Sequence, residues 1–161
     1  MLTTAQLQAL KAAILADPAL SALPMTSGAA AMIAEVMNDP ASPTYIVWRT
    51  DVPLEEIMRN GMDWTRVDNL SVGKARIWDW LSRLGTINAS QANVRAGIEA
   101  AWVGTQADLA VRAAVFGHCK RGATRAEKLL ASGTGSDASP GTMTFEGALT
   151  SEDVQAAREL Q

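Results

Sequence analysis

YIVWRTDVP, Tyr45 to Pro53, interrupts a chain otherwise written in Ala, Leu, Gln and Arg at helical spacing. Tyr45, Ile46, Val47 and Trp48 are aromatic or β-branched, the residue types that pack best on a pleated surface, so Thr44 to Thr50 is expected to be extended. Asp51 can cap a short helix from about Pro53 to Asn60, and Gly61 is expected to close it. A lone strand leaves a row of unpaired backbone groups, so the fold depends on where this strand finds its mate.

Working outward, the flanking segments are helical. Thr3 or Thr4 caps a first helix with Leu7, Leu10 and Ile14 on one face, ending before Pro18. After a Pro-bounded turn, Thr26 or Ser27 caps a second whose stripe runs through Ala29, Met32, Ile33, Val36 and Met37, stopping at the NDPASP turn. These two suggest a helical hairpin. DWTRVDNL reads as a connection, followed by a helix from about Ser71 to Leu84 with Gly85 as its stop. Projection at about 100° per residue places Leu70, Gly73, Ile77, Trp80, Leu81 and Leu84 in one arc and Trp78 outside it, so Trp80 is expected in the core and Trp78 on the surface. Asn88 or Ser90 caps a helix carrying Val94, Ile98 and Trp102 that ends at Gly104. The next runs from Gln106 to about Arg121 and is apolar around most of its circumference. Thr124 and Glu127 then form a capping box that restarts a helix to Ala131.

Residues 132–141, SGTGSDASPG, have the composition of a flexible linker. Beyond it TMTFEGAL alternates with period two, the pattern of a second short strand, and TSEDVQAAREL is a terminal helix. This segment is the expected mate of Tyr45 to Thr50. The expectation is a mainly α protein, a bundle of six to seven helices with a minor two-stranded β element. Residues 1–131 would form a helical core domain, 132–141 a linker, and 142–161 a flexible strand-helix arm.

Composition bounds the function. A chain of 161 residues has the size of one domain and can bury roughly two-thirds of its unfolded surface without staples. One cysteine, Cys119, excludes an internal disulfide and fits a reducing compartment. No apolar run approaches the roughly 20 residues of a membrane span, and a net charge of −3 opposes a nucleic-acid footprint over the whole surface. A cytoplasmic origin without membrane attachment is expected. Five Trp against one Tyr and two Phe is a skewed choice that favours partner surfaces.

No catalytic signature appears. His118 and Cys119 are neighbours on a helix and point about 100° apart, which opposes a nucleophile-base pair. Ser71 to Lys74 matches S-x-x-K without the accompanying motifs of serine acylases, and a cap plus a surface lysine explains it. The acid pairs Glu55/Glu56 and Glu152/Asp153 oppose helix dipoles. Neither a cofactor nor a metal is expected. Lys120, Arg121, Arg125 and Lys128 form a local basic patch if helix continues past Gly122, a surface for an acidic partner or nucleic acid.

With VWRTDVP, ATRAEKLLASGTG and TMTFEGALTSEDVQAAREL in place, the chain resembles the small proteins of tailed-bacteriophage head and tail morphogenesis modules, and among them the helical head–tail connectors or adaptors. The resemblance implies a non-enzymatic virion protein of the neck, present in the host cytoplasm during assembly, that forms a homo-oligomeric ring and binds the portal and tail or neck proteins around the DNA channel. It extends to other minor virion or tail-completion proteins. A DNA-packaging or regulatory protein using the Lys120 to Lys128 patch is the alternative. In a ring the donor and acceptor surfaces of one chain must differ. Met143, Phe145 and Leu149 would then donate a strand to Tyr45, Val47, Trp48 and Arg49 of a neighbour, with Trp78 at the same interface.

Overall fold

The structure is a computed structural model that describes residues 1–60 and 62–160. It is mainly helical, with ten helices among the described residues and three small two-stranded sheets. The expectation of six or seven helices missed the short ones. Gly61, expected to close a helix, lies outside the described residues.

The chain divides into two compact units that do not follow the expected boundaries. One unit joins Met1–Val47 to Gly122–Gln161, and the other is Trp48–Arg121. The division falls within β1 (Ile46–Trp48) and β4 (Lys120–Gly122), which pair with each other.

In the first unit, α1 (Thr4–Ala16) opens with a capping box between Thr3 and Gln6, and the Asp17 carboxylate caps α2 (Pro18–Ser21), with Pro at its first turn. α3 (Ser27–Asn38) is capped by Thr26. The expected hairpin of α1 and α3 is replaced by a different packing, in which both lie chiefly against α9 (Arg125–Leu130) and α10 (Ser151–Glu159). Leu10, Ile14, Leu20, Ile33, Met37, Leu130, Leu149, Val154 and Ala157 make one apolar cluster.

The C-terminal segment is therefore part of this core and not a detached arm. Leu149, Val154 and Ala157 supply its buried apolar groups, and the Asn38 side-chain amide exchanges two hydrogen bonds with the Leu149 backbone, 3.0 and 2.8 Å. Arg158 donates to the carbonyls of Pro24 and Leu23 at 2.9 and 2.6 Å. The apolar face of α10 has too little area to stand alone, and α1 and α3 provide its cover.

Strand pairing also departs from expectation. The mate of β1 is β4, whereas β6 (Thr142–Met143) pairs antiparallel with β5 (Ala131–Ser132), Ala131 facing Met143. Within the first unit the Tyr45 carbonyl accepts from Ala123 at 2.8 Å. The TMTFEGAL pattern stops pairing early, because Thr144 turns its hydroxyl to the Leu130 carbonyl at 2.6 Å and Gly147 adopts φ +114°.

Residues 132–141 are ordered around one ring. The Tyr45 hydroxyl donates to the Gly133 carbonyl at 2.8 Å, Ile46 N–H donates to Gly135 at 2.7 Å, and Gly141 N–H donates to Ile46 at 2.8 Å. A Cβ on Gly135 would lie 2.1 Å from Tyr45 Cδ2, and its φ of +67° also favours glycine. The composition that suggests a linker is here what allows backbone to close over an aromatic face.

The second unit contains α4 (Leu54–Arg59), α5 (Trp64–Asp68), α6 (Val72–Ser82), α7 (Ala92–Ala101) and α8 (Gln106–His118). β2 (Val52–Pro53) pairs antiparallel with β3 (Thr86–Ile87). Val52, Ile57, Trp78, Ile87, Ile98, Trp102, Val111, Val115 and Cys119 form its core. α6 packs mainly on α7, where Trp78 meets Trp102 edge-on, centroids 5.4 Å apart at 74°. Asp51 does not cap α4, whose N-cap is Pro53 without a side-chain bond.

Candidate functional site

The second unit carries the features that bear on function. Trp48 leaves β1 half-buried, tilted on Phe116 with centroids 5.6 Å apart. Two cations lie over its ring, Arg95 at 5.0 Å and Lys120 at 5.8 Å from the centroid. Arg95 is fixed there by bonds from Nη1 to the carbonyls of Ala89 and Ser90 at 2.7 and 2.8 Å.

Arg49, the next residue, turns inward. Its Nη1 donates to Glu56 Oε1 at 2.7 Å and to the His118 carbonyl at 2.9 Å, and its backbone N–H donates to the Cys119 carbonyl. His118 Nδ1 lies 3.2 Å from the same Glu56 oxygen, and its Nε2 meets the Asn60 carbonyl. The Arg49 hydrogen bond, with a smaller one from His118, holds the Glu56 carboxyl below its ordinary range. Arg49, Glu56 and His118 thus tie β1, α4 and the end of α8 together. Cys119 is buried beside them, and burial pushes its thiol up to about 11. A thiol so placed stays protonated at neutral pH and is a poor nucleophile.

A second knot joins α5 to α8. Arg66 Nη2 donates to Asp108 Oδ1 at 2.6 Å, and Asp108 closes the capping box with Thr105. The Arg66 bond first, then the Thr105 backbone N–H, lowers the Asp108 carboxyl to about 2. Among the described residues no group of three or more His, Cys, Asp or Glu could hold a metal ion.

The residues expected at the interface are distributed differently. Tyr45, Val47, Met143, Phe145 and Leu149 belong to the first unit, and Trp48, Arg49 and Trp78 to the second. Val47, Trp78 and Leu149 are buried, and Tyr45 is enclosed by residues 133–141. They are packing groups. The two tryptophans of α6 exchange roles, for Trp78 is 3% exposed and Trp80 61%. Ile77 and Leu81 still pack on the core, and the indoles project about 160° apart, so Trp102 at the end of α7, packed on Trp78, decides which of the two faces inward.

The expected helix does not continue past Gly122, because α8 ends at His118 and β4 follows, so the four cations do not share one helical register. Lys120 lies against Trp48, Arg125 pairs with Asp17 at 3.3 Å, and Lys128 donates to the Pro43 carbonyl at 3.2 Å. Arg121 is also engaged.

The surface that sequence reasoning missed is on α6. Val72, Trp80 and Leu84 are exposed large apolar groups, and beside them runs a groove of about 540 Å³ lined by Met58, Val67, Leu70, Val72, Ala75 and Trp78, with Asp68 and Asp79 at its rim. The available signal was the pair Trp78 and Trp80, which project about 160° apart so that only one can face the core. No protein family, curated protein or solved structure matches this chain.

Proposed function

We propose that this protein is a non-enzymatic structural component of a tailed-phage virion, a head–tail connector that assembles as a ring and joins the portal to the tail. The reading rests on the resemblance of its sequence stretches to such proteins, and the observation that carries it is the outward Trp80 of α6 with Leu84 exposed one turn on, just past the helix end. Contiguous exposed apolar groups mark interaction surfaces. An indole offers roughly 150–250 Å², so covering the 61% of Trp80 that is exposed is worth about 2–4 kcal/mol at about 25 cal/mol/Å². That is a large share of a protein–protein contact and of little use to a monomer. The alternative, a DNA-packaging or regulatory protein, would use Lys120, Arg121, Arg125 and Lys128, of which Arg125 is paired with Asp17 at 3.3 Å.

Co-sedimentation of the purified protein with portal rings tests this. The protein is expected to travel with the portal in a fixed stoichiometry. Failure to bind portal, by a protein that also remains monomeric, overturns the reading.

A further inference from the structure

We infer that Trp80 of one copy docks in the α6 groove of the next copy, making the subunit contact of the ring; this rests on the connector reading above. The geometry of one helix carries it. With 3.6 residues per turn, the groove-lining Val72, Ala75, Asp79 and Ser82 centre roughly 120° around the α6 axis from Trp80. Knob and groove therefore flank the helix on different sides. A two-fold contact needs the two to face one partner together, whereas a head-to-tail contact needs them to face different neighbours.

Charge agrees with this pairing. Arg76 stands one turn before Trp80 on the same flank, exposed and with no hydrogen bond or ion pair among the described residues. Asp68, at the groove rim at the end of α5, is likewise exposed and unpaired among the described residues. A copy seated with Trp80 in the groove brings an unpaired cation to an unpaired carboxylate. The groove is apolar along Met58, Val67, Leu70 and Trp78 and of a size that accepts an indole.

The test uses the full chain with two substitutions at exposed positions, Trp80→Ala, which removes the knob, and Val72→Asp, which puts a carboxylate into the groove mouth. Val72 is 77% exposed, and an acid at the first turn of α6 suits the helix dipole, so both variants are expected to fold, as far-UV circular dichroism verifies. In sedimentation velocity each variant alone should associate at least about 30-fold more weakly than the parent, the loss typical of an interface hot spot. Mixed one to one, they should form a dimer and nothing larger, since only one intact knob meets one intact groove. Variants that assemble like the parent, or a mixture that stays monomeric, overturn the contact. A parent chain that is monomeric at millimolar concentration also overturns it, while the connector reading is then decided separately by portal co-sedimentation.

Discussion

Replacing each tryptophan of α6 by alanine separates core from surface most cleanly. Trp78 is 3% exposed and stacks edge-on against Trp102, itself fully buried, so truncation removes an indole from the centre of the second unit and leaves a hole between α6 and α7. Core Trp to Ala changes cost about 3–5 kcal/mol, and the lost aromatic pair places this one toward the upper half of that range. At about 2–4 °C per kcal/mol for a chain of this size, the melting temperature should fall by roughly 8–20 °C. Trp80, 61% exposed, gives up little on truncation, and a change within about 0.5 kcal/mol is expected. Urea denaturation followed by far-UV circular dichroism reads both without relying on indole fluorescence. A larger loss for Trp80→Ala than for Trp78→Ala would refute the assigned orientation of α6.

Deleting residues 141–161 should unfold the first unit, because Leu149, Val154 and Ala157 fill its core; a truncated chain that keeps the parent's helical signal would contradict this. Gly135→Ala must place a Cβ against the Tyr45 ring at φ +67°, and should destabilise by at least about 2 kcal/mol, whereas Tyr45→Phe, losing one hydroxyl bond, should cost about 0.5–1.5 kcal/mol in the same urea titration. Asp108, with its carboxyl lowered to about 2, contributes stability that is fully present above its unfolded value and is lost as pH falls toward 2. Arg66→Ala should raise that carboxyl, so the variant is weaker at neutral pH and its urea midpoint falls less steeply below about pH 4; parallel pH profiles would show that the pair is not responsible.

Local rules carried much of the fold. The capping boxes at Thr3, Thr105, Thr124 and Thr150 start helices because a hydroxyl and an acid or amide three residues on satisfy the same free N–H groups wherever they occur. Gly85 and Gly104 mark helix ends through positive φ. What local rules do not hold is the choice between partners. The strand at Ile46 found β4 because the polypeptide folds back after His118, a reversal that apolar periodicity does not encode. SGTGSDASPG was compositionally indistinguishable from a linker, since glycine serves both chain freedom and close approach to Tyr45. The candidate surface was hidden for a related reason. The indoles of Trp78 and Trp80 project about 160° apart, and burial of Trp78 became visible only with Trp102 opposite it.

The most direct measurement is on the phage to which the proposal assigns this chain, grown with its reading frame suppressed and imaged by electron microscopy. A connector predicts packaged or leaking heads and free tails that do not join, with joining restored by adding the purified protein and not by the Trp80→Ala variant. Complete, infectious particles in its absence would contradict the account.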